Sequence, residues 1–173
     1  TKPANILKSV LVKAEGDVKV STDAKGAIFE SSSFTLSCRF VNGTYPKYNS
    51  VIPQNNPYKL VVDRVSLLNA IRRVSVFANA SGLVIFQLKE NEIYMKAEDR
   101  EFSTMAEERM SCDYQGEEML IGFNNTKMID VLNNINSDTL VVTLSGPSRA
   151  GVFLPETQED GEEMLVLLMP MMV

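Results

Sequence analysis

The side chains with the most obvious chemical capacity are five carboxylates in one short segment, Glu156, Glu159, Asp160, Glu162 and Glu163. Carboxylates at this density could hold a divalent cation or divide acid and base roles between them. These bracket Gly161 and no apolar residue separates them, which is the pattern of a solvated turn. Ser32 and Ser33 need a neighbouring base to act as nucleophiles, and the sequence contains no histidine. That absence removes Ser-His and Cys-His pairs together with the commonest transition-metal ligand. Cys38 and Cys112 are too far apart for the paired spacing of a zinc site. Neither glycine-rich phosphate-binding pattern occurs. The expectation is therefore no catalytic residue, no metal and no cofactor, hence no enzyme.

Two other groups of residues could bind instead of react. Lys2, Lys8, Arg72, Arg73 and Lys127 fall on or beside segments of helical spacing, whereas most carboxylates fall in strands and loops. If the helices share one side of the molecule, that side is basic although the chain carries a net charge of -5. A basic helical face would meet phosphates without reading bases, as sequence-independent DNA binding requires. Five ordinary solvated cations are the competing reading. The second group is the tail, Leu167, Leu168, Met169, Pro170, Met171 and Met172. Its thioethers suit an adaptable apolar binding surface, and a plain core strand is the alternative.

The elements that must position these groups follow from hydrophobic periodicity. Helical spacing recurs at Ile6, Leu7, Val10 and Leu11, at Leu67, Leu68, Ile71 and Val74, and at Met128, Ile129, Leu132 and Ile135. Leu7, Leu68 and Ile129 are 61 positions apart, and Val10, Ile71 and Leu132 keep the same step. Each helix is followed by three stretches of alternating apolar and polar residues. KLVVD and EEMLIGF supply a leading strand to the second and third helices, and the first lacks one. The fold class is α+β, built from repeated strand-helix-three-strand units. One such unit cannot cover its own sheet, so units should pair, which leaves the first unit without a partner. The Pro and Asn residues between Pro53 and Pro57 mark the boundary, giving domains at 1–57 and 58–173. No segment has the apolar length of a membrane span, and the absence of a secretory leader directs the expectation to the cytoplasm.

Three segments together carry a family likeness. RFVNGTYPKYNSVIP (Arg39 to Pro53), EEMLIGFNNTKMIDVLNNI (Glu117 to Ile135) and the terminal LVLLMPMMV resemble the bacterial sliding clamp, the beta subunit of DNA polymerase III. The resemblance runs along the whole chain. It implies the DNA-clamp fold, with helices on one face of curved antiparallel sheets. By this likeness 1–57 is the second half of the clamp's middle domain and 58–173 its complete carboxyl-terminal domain. The chain would then be a fragment, an expectation that its lack of an initiator methionine also suits.

In the family two three-domain chains form a homodimeric ring, helices line the hole around duplex DNA, and the protein is a non-catalytic processivity factor. The resemblance thus implies that Lys2, Lys8, Arg72 and Arg73 contact DNA, Lys2 above all because family members are basic there. It further implies a groove for short peptide motifs of the polymerase III catalytic subunit, the clamp loader and repair proteins. Positions matching its lining are Pro46, Val51, Asn124, Lys127, Gly151, Leu167, Leu168, Met169, Pro170, Met171 and Met172. Val76 and Phe77 match the carboxyl-terminal domain's share of the ring interface. Ser50, Lys127 and Met172 depart from some members, which carry arginine, tyrosine and a basic residue there. A β-rich peptide-binding module that never encircles DNA is the alternative function.

Overall fold

The structure, a computed structural model, describes residues 2–45 and 47–173. It divides into two compact units, Thr1–Pro46 and Lys47–Val173. Pro46, expected in the groove, lies outside the described residues.

The first unit begins with helix α1 (Lys2–Leu11), none of whose residues is buried. Three antiparallel strands follow, β1 (Lys19–Thr22), β2 (Gly26–Glu30) and β3 (Thr35–Arg39), in that spatial order. The Asp23 carboxylate accepts from the backbone N–H groups of Lys25 and Gly26 at 2.7 and 2.8 Å, closing the first hairpin as an Asx turn. Val20, Phe29 and Leu36 stand opposite one another across the three strands and give the sheet one apolar face.

In the second unit a three-residue 3₁₀ turn (Tyr48–Ser50) precedes β4 (Tyr58–Asp63) and helix α2 (Arg64–Ser75). Next come β5 (Leu83–Lys89), β6 (Glu92–Asp99), β7 (Thr104–Ser111) and the short β8 (Asp113–Gln115). The pattern then repeats with β9 (Met119–Asn124), helix α3 (Asn125–Asn134), β10 (Thr139–Leu144), β11 (Gly151–Pro155) and β12 (Val166–Leu168). The 61-residue step extends beyond the helices. It relates β4 to β9 at both ends and the two helix caps to each other. The Asp63 carboxylate accepts from Ser66 N–H at 2.7 Å, and the Asn124 side-chain oxygen accepts from Lys127 N–H at 3.1 Å.

The two repeats exchange their leading strands. One sheet has the order β7-β6-β5-β9, the other β12-β11-β10-β4-β8. Thus β9, which leads the second repeat, pairs with β5 of the first, and β4 pairs with β10 of the second. Neither sheet can form without both repeats, which accounts physically for their pairing. Alternation along β5, β6 and β10 directs every second residue inward, where Val84, Phe86, Leu88, Ile93, Met95, Leu140 and Val142 meet Leu67, Ile71 and Leu132 of the helices. Phe123 of β9 bridges the two sheets, edge-on to Phe86 and to Phe153 with ring centroids 5.9 Å apart in each pair.

Two strands differ from expectation. The terminal apolar run forms a strand only over Val166–Leu168, because Pro170 has no N–H for further pairing. Strand β8 is added at the edge of β4, held by the buried Tyr114, whose hydroxyl donates to the Glu117 carbonyl at 2.8 Å. No helix among the described residues is long and apolar enough to cross a membrane.

Candidate functional site

The tail takes its course from strand pairing. Leu168 and Leu167 of β12 stand opposite Gly151 and Val152 of β11, and Leu168 is buried in the core. Past Leu168 the chain leaves β12, and beyond Pro170 the Met171 N–H donates to the Gly122 carbonyl of β9 at 2.8 Å. Since β12 and β9 are each the outermost strand of their sheets, residues 169–171 run from one sheet edge to the other.

Glycine leaves the landing point open. A Cβ on Gly122 would lie 2.7 Å from Leu83 Cδ1, 2.9 Å from Val173 Cγ2 and 3.1 Å from the Met171 carbonyl. Gly151 is similarly tight, with Leu144 and Phe153 side-chain atoms 3.1 Å from where its Cβ would be. The tail lies over the gap left by Gly122 and, with Leu120, Pro147 and Ser148, bounds a pocket of about 370 Å³ lined by Pro170, Met171, Met172 and Val173. Apolar side chains dominate this lining, and Met172 and Met169 project into solvent.

Asn124 stands beside this segment at the end of β9. Its side-chain oxygen caps α3 through Lys127 N–H, and its amide donates to the Ser81 carbonyl at 3.0 Å. Lys127 is thereby held on the first turn of α3, exposed, and no carboxylate pairs with it among the described residues. The fold thus gathers Gly151, Leu167, Leu168, Met169, Pro170 and Met171 through β11, β12 and the bridge to β9, with Asn124 two residues beyond Gly122. Val51 caps the 3₁₀ turn and is exposed. Sequence reasoning missed Leu120, Pro147, Ser148 and Val173.

The cations on α2 divide. Arg73 forms an ion pair with Glu108 of β7, its Nε donating to Oε2 at 3.1 Å, and the carboxylate holds its guanidinium pKa above the ordinary value. Arg72 points the other way and donates to the neutral side chain of Asn133 on α3 at 3.2 Å, so its charge stays unmatched among the described residues. Lys2 and Lys8 are both exposed on α1. Val76 and Phe77 follow α2 and are 77% and 38% exposed.

Among the described residues no three His, Cys, Asp or Glu side chains converge as a metal site. Cys112 is half-buried, and burial first, then the carboxylates of Asp113 and Glu92, push its thiol up to about 11. At neutral pH it is a protonated thiol, a poor nucleophile.

The family profile described as DNA polymerase III beta subunit, C-terminal domain, matches residues 49–172. The chain belongs to this family. Among curated relatives, the beta sliding clamp of Pseudomonas putida KT2440 is 30% identical over 164 residues, covering 94% of this chain and 44% of its own length. That of Synechocystis is 28% identical, covering 98% of this chain and 44% of its own length. The chain therefore spans less than half the length of the clamps it matches. A Bartonella birtlesii DnaN sliding clamp solved with griselimycin superposes with a TM-score of 0.90 at 28% identity, covering 99% of this chain and 46% of that one. The Pseudomonas aeruginosa clamp gives 0.89 at 25% identity over the same shares. The fold is that of the clamp family, α+β as the repeats implied.

Proposed function

We propose that this chain is part of a non-catalytic DNA sliding clamp, a processivity factor whose ring encircles duplex DNA and whose tail pocket receives short peptides. The partners would be the polymerase III catalytic subunit, the clamp loader and repair proteins, in the cytoplasm. The observation that carries this reading is the tail itself. A three-residue strand, a proline and a backbone bridge hold Met169 to Val173 across two sheet edges, over an apolar pocket, within a chain of the clamp family. Griselimycin, bound to the Bartonella clamp, is proposed to bind here too. Val51, Asn124, Lys127 and Gly151 belong to the same groove in this reading, with Pro46.

Lys2, Lys8 and Arg72 are proposed to face DNA phosphates, with Arg73 a weaker contributor because Glu108 already occupies it. Val76 and Phe77 are proposed as the chain's share of the ring interface. Their exposure supports this, as does the position of β7 at the end of its sheet. We assign 1–57 to the second half of a middle domain and 58–173 to a whole carboxyl-terminal domain. In support, β1 ends its sheet, where β5 and β10 each receive a leading strand from the other repeat. Compactness divides the chain earlier, at Pro46, because Asn56 donates to Thr143 of β10 and ties residues 47–57 to the second unit.

The test is topological. The full-length ring containing this chain, loaded on circular duplex DNA, should stay bound through a high-salt wash and leave when the circle is linearised. Release before linearisation would refute encirclement.

A further inference from the structure

We propose that Met169 and Met172 form an oxidation site through which peroxide controls the tail pocket. The inference rests on the groove reading above. The two residues lie on either side of Pro170-Met171 and are 65% and 97% exposed, whereas Met95, Met119 and Met128 are buried in the core. Met172 lines the pocket, and Met169 adjoins its Pro170 wall. The Met171–Gly122 bridge fixes the backbone between them, and both thioethers stay open to solvent.

Each thioether sulfur attacks one peroxide oxygen. The O–O bond breaks, an S=O bond forms, sulfur loses two electrons, and the second oxygen leaves as water. The product is polar and chiral where the thioether was flexible and apolar. An apolar ligand side chain seated against it would strip water from the sulfoxide oxygen without supplying a donor, which opposes binding. Met105 is the internal control. It is 54% exposed, but it lies on β7, separated from β9 by β6 and β5.

The experiment treats the 173-residue chain with hydrogen peroxide, maps sulfoxides by peptide mass spectrometry, and measures griselimycin binding by calorimetry before and after. The proposal expects Met172 and Met169 to convert well ahead of Met95, Met119 and Met128, with a loss of affinity of roughly tenfold. Methionine sulfoxide reductases should restore binding. A Met169→Leu, Met172→Leu variant, compared with its own untreated affinity, should lose no affinity on treatment. An equal loss in the leucine variant, or unchanged affinity with both residues present as sulfoxides, overturns the proposal. If the untreated chain binds no griselimycin, the groove reading itself fails and the switch with it.

Discussion

The backbone N–H of Met171 donates to the carbonyl of Gly122 across 2.8 Å, and this one bond ties the edge strand of the five-stranded sheet to the edge strand of the four-stranded one. Gly122 has no side chain to crowd Leu83, Val173 or the Met171 carbonyl, so the tail approaches β9 closely. Position 122 thus acts on the pocket without lining it.

Adding a side chain there should displace the tail. Gly122→Val would collide with Leu83 and Val173 side chains and crowd the Met171 carbonyl. Overpacking of this kind costs about 1–3 kcal/mol, which lowers Tm by roughly 2–10 °C in a chain of this size. Griselimycin affinity should fall by about tenfold or more, the 1.4 kcal/mol equivalent of losing the pocket wall. Calorimetry and a thermal melt check both, and unchanged affinity would separate the bridge from the pocket.

The cap of α2 gives a pH-dependent prediction. Hydrogen bonds from the Ser66 hydroxyl and N–H hold the Asp63 carboxyl below its ordinary 3.8. A depressed carboxylate contributes stability that is complete above the unfolded value and disappears as pH falls through the lower folded one. Asp63→Ala should therefore cost about 1 kcal/mol at pH 7. Asp63→Asn keeps the cap without titrating, so denaturant melts should show its stability relative to the parent rising as pH drops below about 4. A pH-independent difference would contradict the assignment.

Cys112 should alkylate slowly at pH 8, and its rate should keep rising as pH approaches 11, where its thiol titrates. Site-resolved iodoacetamide labelling measures this. A plateau near pH 9 would show that the thiol is not held up by burial.

The two arginines of α2 should separate in DNA binding. Arg72→Ala should reduce the slope of log affinity against log salt by about one on duplex DNA, because it removes one available phosphate contact. Arg73→Ala should change it less, since Glu108 already balances that charge. The reverse order in a fluorescence-anisotropy titration would overturn the proposed roles.

Much of this was legible in the sequence because periodicity reports burial directly. Ile71 and Leu132, 61 residues apart, are both fully buried, and the run of thioethers drew attention to the tail before the family likeness did. Strand exchange was not legible, since alternation in KLVVD and EEMLIGF tells which face is buried and not which neighbour is paired. Where strand pairing stops in the tail was not legible, because an apolar run such as MLVLLMPM carries no mark of it except Pro170. Leu120, Pro147 and Ser148 were missed for a related reason. Each lies far in sequence from the tail, and the pairing of β12 with β11 together with the bridge to Gly122 brings them together.

The groove is tested most directly by backbone NMR of the 173-residue chain titrated with griselimycin. The account predicts shift changes concentrated at Leu120, Gly122, Asn124, Lys127, Ser148 and the amides of residues 167–169 and 171–173, with Pro46, Pro147 and Pro170 silent for want of an amide proton. An unchanged spectrum at saturating ligand, or changes confined to residues outside this set, would contradict it.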